Sequence, residues 1–351
     1  MDLTFLSDRI GDNAASAVIG VAVGIVFGVA AQRSAFCLRA ATLELSRGRM
    51  GPRFAVWLFS FASAAILVQG ARMAGALDPG AARTMAMGSL SGAVAGGLIF
   101  GSGMILTRGC PGRLAVLAAT GNLRSIVSGL IFAVTAQMTL RGVLVQPNVR
   151  IAGLWTTPDG ANIDLTTAGA LPLWSGLALG LAAMAFALWL AQRSSVPNRI
   201  LMFGAGVGLS VAAGFYLTFQ HAQVAFEPVP VTSITFTSPS ASGLMALLAP
   251  FPSLGFDVGL IPGVLLGSFL AALVGGELRF QTFESISQTR RAMIGAVMMG
   301  FGGVLAGGCS VGNGVSGTAI FAATAWAALL SMWAGGIATD WLVDRRAGGA
   351  S

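Results

Sequence analysis

The chain contains no lysine, one histidine and three cysteines among its 351 residues, and only 9% of it is charged. Each shortage excludes something. With His221 alone and no evident pair of buried acids there is no clear general base, which argues against an enzyme built on thiol chemistry. A lone histidine reads as a satisfied polar residue. Three cysteines cannot all pair, and none has CxxC spacing, so neither a disulfide framework nor a metal site is expected. No Walker-type segment or separate soluble domain interrupts the apolar runs, and no cofactor is implied.

What remains is apolar. The chain is 55% hydrophobic with a mean hydropathy of +0.80, values that belong to a polytopic membrane protein. Its net charge of +7 comes wholly from arginine. Most arginines lie between apolar runs, where they set topology and meet lipid headgroups, so no nucleic acid is expected. The first apolar run, 14–31, lacks a basic leader and is followed by more such runs, so it reads as a retained span.

Runs near the twenty residues that cross a bilayer occur at about 14–33, 54–74, 86–107, 123–145, 170–192, 199–219, 256–276, 291–308 and 323–343. Four shorter apolar stretches follow the first, third, sixth and eighth runs, at about 37–46, 111–121, 239–249 and 310–322. They are too short to cross and too apolar for ordinary loops, so re-entrant half-helices are expected. The fold expected is therefore an all-α polytopic membrane protein, with about nine transmembrane helices and four re-entrant half-helices. Parity makes the halves, about 14–145 and 197–343, two inverted pseudo-repeats joined through a loop and fifth span at 146–193. All of it forms a single transport domain.

Arginine asymmetry sets the expected orientation. Arg47, Arg49, Arg53, Arg124, Arg193, Arg199, Arg279, Arg290, Arg291, Arg345 and Arg346 share one side, and Arg9, Arg72, Arg83, Arg141 and Arg150 the other. The richer side should be cytoplasmic, which leaves the N-terminus periplasmic and the C-terminus cytoplasmic. The segment 146–169, with Asp159 and Asp164 and no apolar run, then caps the outer mouth. Glu44, Glu227, Asp257, Glu277 and Glu284 fall near span ends, and Glu44 and Glu227 flank site loops where a proton could be carried.

The cysteines carry the functional signal. Cys37, Cys110 and Cys309 each stand where a long run gives way to a short one, and Gly28, Gly101 and Gly300 precede them by nine residues. If the half-helices point their N-termini inward, free N–H groups and positive dipole ends converge on the middle. Gly109, Pro111 and Gly112 suit such a turn, as does the cluster containing Gly307 and Gly308. Arg33, Arg39, Arg108 and Arg113 add fixed positive charge. Ser310, Asn313, Ser316, Asn122, Gln220, Thr232, Ser233 and Thr235 could donate to an oxyanion. Together these describe an anion pathway.

At Arg33-Ser-Ala-Phe-Cys37, Arg108-Gly-Cys-Pro-Gly112, Pro230-Val-Thr-Ser-Ile-Thr-Phe236 and Gly307-Gly-Cys-Ser-Val-Gly-Asn-Gly-Val-Ser-Gly317, the chain resembles the YeeE/YedE family of bacterial inner-membrane sulfur-compound transporters. The resemblance covers nearly the whole length. It implies nine spans with four intramembrane loops, three functional cysteines at Cys37, Cys110 and Cys309, and thiosulfate as solute. It also implies a cytoplasmic sulfurtransferase as partner, to consume what enters. A general anion channel and a membrane thiol enzyme that transfers sulfur are the rival readings.

Overall fold

The computed structural model describes residues 4–158, 160–250, 253–282 and 285–345; Asp159, Glu284 and Arg346 lie outside them. Among the described residues the chain is helical, with four isolated bridges and no strand. A short helix α1 (Thr4–Ile10) leads into α2 (Asp12–Ser34), the short α3 (Leu38–Ser46) and α4 (Pro52–Met73). The same long–short–long order recurs in α5 (Leu90–Leu106), α6 (Pro111–Ala119) and α7 (Leu123–Arg141). Then come the small helices α8 (Val145–Ala152) and α9 (Leu165–Ala168), and the lone α10 (Trp174–Arg193). The second half runs α11 (Asn198–Val224), α12 (Thr237–Leu248), α13 (Phe256–Gly275), α14 (Ile286–Leu305), a π-helical turn Gly312–Gly317, and α15 (Ala323–Thr339).

Seven of the described helical stretches are long and apolar enough to cross a membrane, and the chain is a multi-pass membrane protein. Nine were expected. The two outside the seven are α14, which carries Arg290 and Arg291 near its start, and α15, which is 17 residues long. The segment 146–169 is also less plain than its composition suggests. It folds as α8 and α9, and Ser89 and Ser91 hydroxyls donate to the Ala152 carbonyl at 2.7 and 3.1 Å.

Membrane helices gain nothing by hiding apolar side chains from lipid, so close backbone contact must hold them. Gly20, Gly24 and Gly28 form one stripe on α2, and Gly259, Gly263 and Gly267 form another on α13. A methyl group at Gly24 would fall 2.5 Å from the Leu260 carbonyl, and one at Gly263 would fall 2.3 Å from that of Val21. These helices run parallel, backbone on backbone. Gly103 and Gly295 likewise bring the backbones of α5 and α14 together, here with the helices antiparallel. The glycines nine residues before the cysteines all serve such seams: Gly28 against α13, Gly101 against the Met332 carbonyl of α15, and Gly300 against Phe132 of α7.

Polar links fix which helix ends share a face. His221 near the end of α11 meets the Asp12 carbonyl at 3.0 Å, and Asp12 accepts the backbone N–H groups of Phe226 and Glu227. The ion pair Arg72–Asp164, at 2.9 Å, ties the end of α4 to the connecting segment on that same face. At the opposite face Asn122 donates to Gln281 at 2.6 Å, and Glu44 accepts the Arg53 and Phe54 N–H groups that open α4. Glu44 is thus an N-terminal cap, and Glu227 accepts from Asn13.

The α2–α13 seam makes a direct prediction. Gly263→Val should destabilise the protein by about 1–3 kcal/mol or more, as overpacking does. Gly70→Ala, where a methyl group meets nothing within 4 Å, should leave it unchanged. Thermal unfolding in detergent separates them, and equal melting temperatures would overturn the packing argument.

Candidate functional site

Each cysteine follows the same local grammar. Ala35 (φ 51°), Arg108 (φ 59°) and Gly307 (φ 74°) end their long helices in the left-handed region, and the cysteine comes two residues later. From there the chain re-enters a helix. The carbonyls of Cys37, Cys110 and Cys309 accept the N–H of the residue four further on, at 3.3, 2.9 and 2.8 Å. Phe236 takes this position in the third unit, its carbonyl accepting from Ser240 at 3.3 Å. The left-handed turn at Arg108 has no glycine to announce it, and at Ala35 the conformation strains an ordinary residue.

The four turns meet inside the protein. Those at Cys37 and Cys110 dip from the face where α2 and α5 end, while those at Phe236 and Cys309 dip from the Asp12 face. Cys37 and Cys110 lie near one another, and Cys110 also lies near Ser310. Cys110 and Cys309 are buried, whereas Cys37 is half-buried. The Arg39 and Arg113 guanidiniums lie close enough to act on Cys37 through their charge.

Cys309 sits in a cradle of donors. The backbone N–H groups of Phe236 and Gly312 both donate to its Sγ, at 3.2 and 3.4 Å, and the Thr235 hydroxyl lies 3.8 Å away. A thiol sulfur is a weak acceptor with one weak S–H donor. With two N–H groups on its acceptor side, what this thiol can offer a visitor is its S–H. A cavity of about 160 Å³ opens on the Asp12 face and reaches this cradle at Thr235, Gly312 and Asn313, with Arg83 in its wall. Asn148 and Ala152 of α8 also line it, so the connecting segment covers part of its mouth.

Several residues expected at the site serve its frame. The Asn313 amide donates to the Ala306 and Gly308 carbonyls at 2.9 and 3.0 Å, which staples the turn at Gly307. Ser316 donates to the Ile234 carbonyl and Ser233 to that of Val211. Gly109 is packed near Leu114, Gly112 lies under the Phe236 ring, and Gly308 borders Asn313. Asn122 caps α7, and Gln220 donates to the Ala76 carbonyl. Two arginines stand apart: Arg33 reaches Glu277 at 4.0 Å, and Arg108 is exposed in a small recess beside Arg124 and Arg291. Sequence reasoning missed Phe236, because the only sign of its role is its place in the repeat.

A family profile described as sulphur transport matches residues 33–338, which spans all four turns. The chain belongs to the sulphur transport family. It is similar to the thiosulfate transporter TsuA of Escherichia coli strain K12, with 26% identity over 347 residues, covering 92% of this chain and 94% of that one. It is also similar to the thiosulfate transporter TsuA of Spirochaeta thermophila, with 25% identity over 343 residues, covering 93% and 99%. Both relatives are named as transporters rather than enzymes.

The cradle depends on close approach at Gly312, where a methyl group would fall 2.5 Å from the Thr235 hydroxyl. Gly312→Ala should therefore part Thr235 and Phe236 from Cys309 and raise the maleimide reactivity of that buried thiol at least tenfold. Mass spectrometry of the labelled peptides reads each cysteine separately, and an unchanged rate at Cys309 would refute the cradle.

Proposed function

We propose that this protein imports a small sulfur-containing anion, thiosulfate foremost, across the bacterial inner membrane along a path that passes its three cysteines. The observation that carries the reading is the central juxtaposition: Cys37 beside Cys110, Cys110 beside Ser310, and Cys309 under a cavity with two N–H groups on its sulfur. Thiosulfate has two chemistries. Its oxygens suit N–H, hydroxyl and guanidinium donors such as Thr235, Arg39 and Arg113, and its terminal sulfur suits thiols. S–H contacts bind loosely, and weak successive sites favour passage over trapping. The names of both relatives support the same solute.

The helix contacts support inverted halves. Exchanging α2, α4, α5 and α7 for α11, α13, α14 and α15 turns the α2–α13 contact into α11–α4, and α5–α15 into α14–α7. The contacts α2–α11 and α5–α14 map onto themselves, and every one of these pairs packs in the structure. Under this reading α10, which packs on α4, is the fifth of nine spans. The Asp12 face is outer, since the Ser34 face collects more arginines and two of those opposite, Arg72 and Arg83, are paired with Asp164 and Asp257.

Energetics shape the mechanism. Bringing a dianion inward against 100 mV costs about 4.6 kcal/mol, from roughly 2.3 per charge. Proton coupling, a steep outside concentration or rapid consumption inside must offset it. A soluble sulfurtransferase at the inner mouth would supply the last.

Proteoliposomes carrying the wild type should accumulate sulfur-35 thiosulfate, with excess sulfate competing weakly. Cys110→Ala should lower the rate by at least tenfold. Uptake indifferent to that thiol would make the protein a general anion pore, and a wild type without uptake would reject the reading.

A further inference from the structure

Of the cavities on the Asp12 face, three, of about 160, 390 and 190 Å³, share Arg83 in their walls. Its guanidinium holds both oxygens of Asp257, at 3.1 and 3.4 Å, with the arginine side chain 35% exposed and the carboxylate 15%. Charge-assisted N–H···O contacts of full strength are shorter, about 2.7–2.9 Å. The fork is therefore loosely occupied, and it is open to the cavity that ends at the Cys309 cradle. A planar guanidinium presents two parallel donors, which a carboxylate and a small oxyanion satisfy in the same way.

The backbone joins this arginine to the cradle. The Arg83 N–H donates to the Val231 carbonyl at 2.8 Å, and Ala82 bridges Val231. Val231 belongs to the extended stretch that continues to Thr235 and Phe236, the residues around the Cys309 sulfur. Asp257 opens α13, the helix seated on α2.

We propose that Arg83 is the first receiving site for the anion, and that Asp257 occupies it in the solute's absence as a carboxylate stand-in. An arriving oxyanion takes the guanidinium fork from Asp257 and is released toward Thr235. Because the carboxylate competes with every anion, it raises the concentration needed for entry. The inference rests on the transport reading above and adds a residue pair to it.

The test compares sulfur-35 thiosulfate uptake into proteoliposomes by the wild type, Arg83→Gln, Arg83→Lys, Asp257→Asn and the double variant Arg83→Gln/Asp257→Asn. Arg83→Gln should raise KM at least tenfold with Vmax within twofold, and Arg83→Lys, with charge but no fork, should fall between. Asp257→Asn should lower KM severalfold and make sulfate a stronger competitor. The double variant should match Arg83→Gln, because an empty carboxylate position matters only while the arginine is present. If the pair merely braces the fold, both single variants will lose Vmax together, and that outcome overturns the proposal, as does an unchanged KM in Arg83→Gln. A wild type that takes up nothing rejects the transport reading itself, so the two failures are distinct.

Discussion

A helix that begins in the interior of a protein starts with N–H groups that have no carbonyl behind them and little water beside them, and this constraint governs the molecule. Four short helical segments begin this way, after Cys37, Cys110, Phe236 and Cys309. Their first turns must be met by protein or by a solute. At Cys309 part of the answer is visible, since the Phe236 and Gly312 N–H groups both end on one sulfur. Apolar packing alone would not draw backbone donors to a thiol there. A place where backbone donors gather on a sulfur is a place suited to a sulfur-bearing anion.

The glycine seams follow from the same requirement. Interrupted backbone is tolerable only if other backbone closes over it, and the α2–α13 and α5–α14 contacts bring carbonyls within 2.0–2.7 Å of where a methyl group would stand. The seams also set the alignment of the turns, because Gly28, Gly101 and Gly300 are seam residues at a constant distance from the cysteines. Packing register and site register are one quantity. A residue inserted between seam and cysteine would disturb both.

Much of the frame was legible because hydropathy and helix length are local properties. The long runs, the short apolar stretches and the cysteine turns all surface in the chain as sequence features. The small helices α8 and α9 in the connecting segment 146–169 leave no sign in the sequence, because they are too short for periodicity to reveal and are held by contacts such as Ser89 to Ala152. The arginines divided in a way that adjacency could not foretell. Arg39 and Arg113 lie on the helices that leave the cysteine turns and stay near Cys37, while Arg33, at the end of α2, turns to Glu277 and Arg108, in the turn after α5, is exposed.

By itself the sequence determined a multi-pass helical chain, the positions where helices break, and three thiols placed at those breaks, because each depends on composition within a few residues. Only the tertiary structure decided which breaks meet, since the Phe236 N–H reaches the Cys309 sulfur and Cys110 comes near Ser310, both far along the chain. It also decided that Ser233, Ser316 and Asn313 donate to the frame's own carbonyls, that Phe236 supplies a donor in the unit without a cysteine, and that Arg83 faces Asp257. The reason is physical: a side chain's availability depends on what the fold sets opposite it.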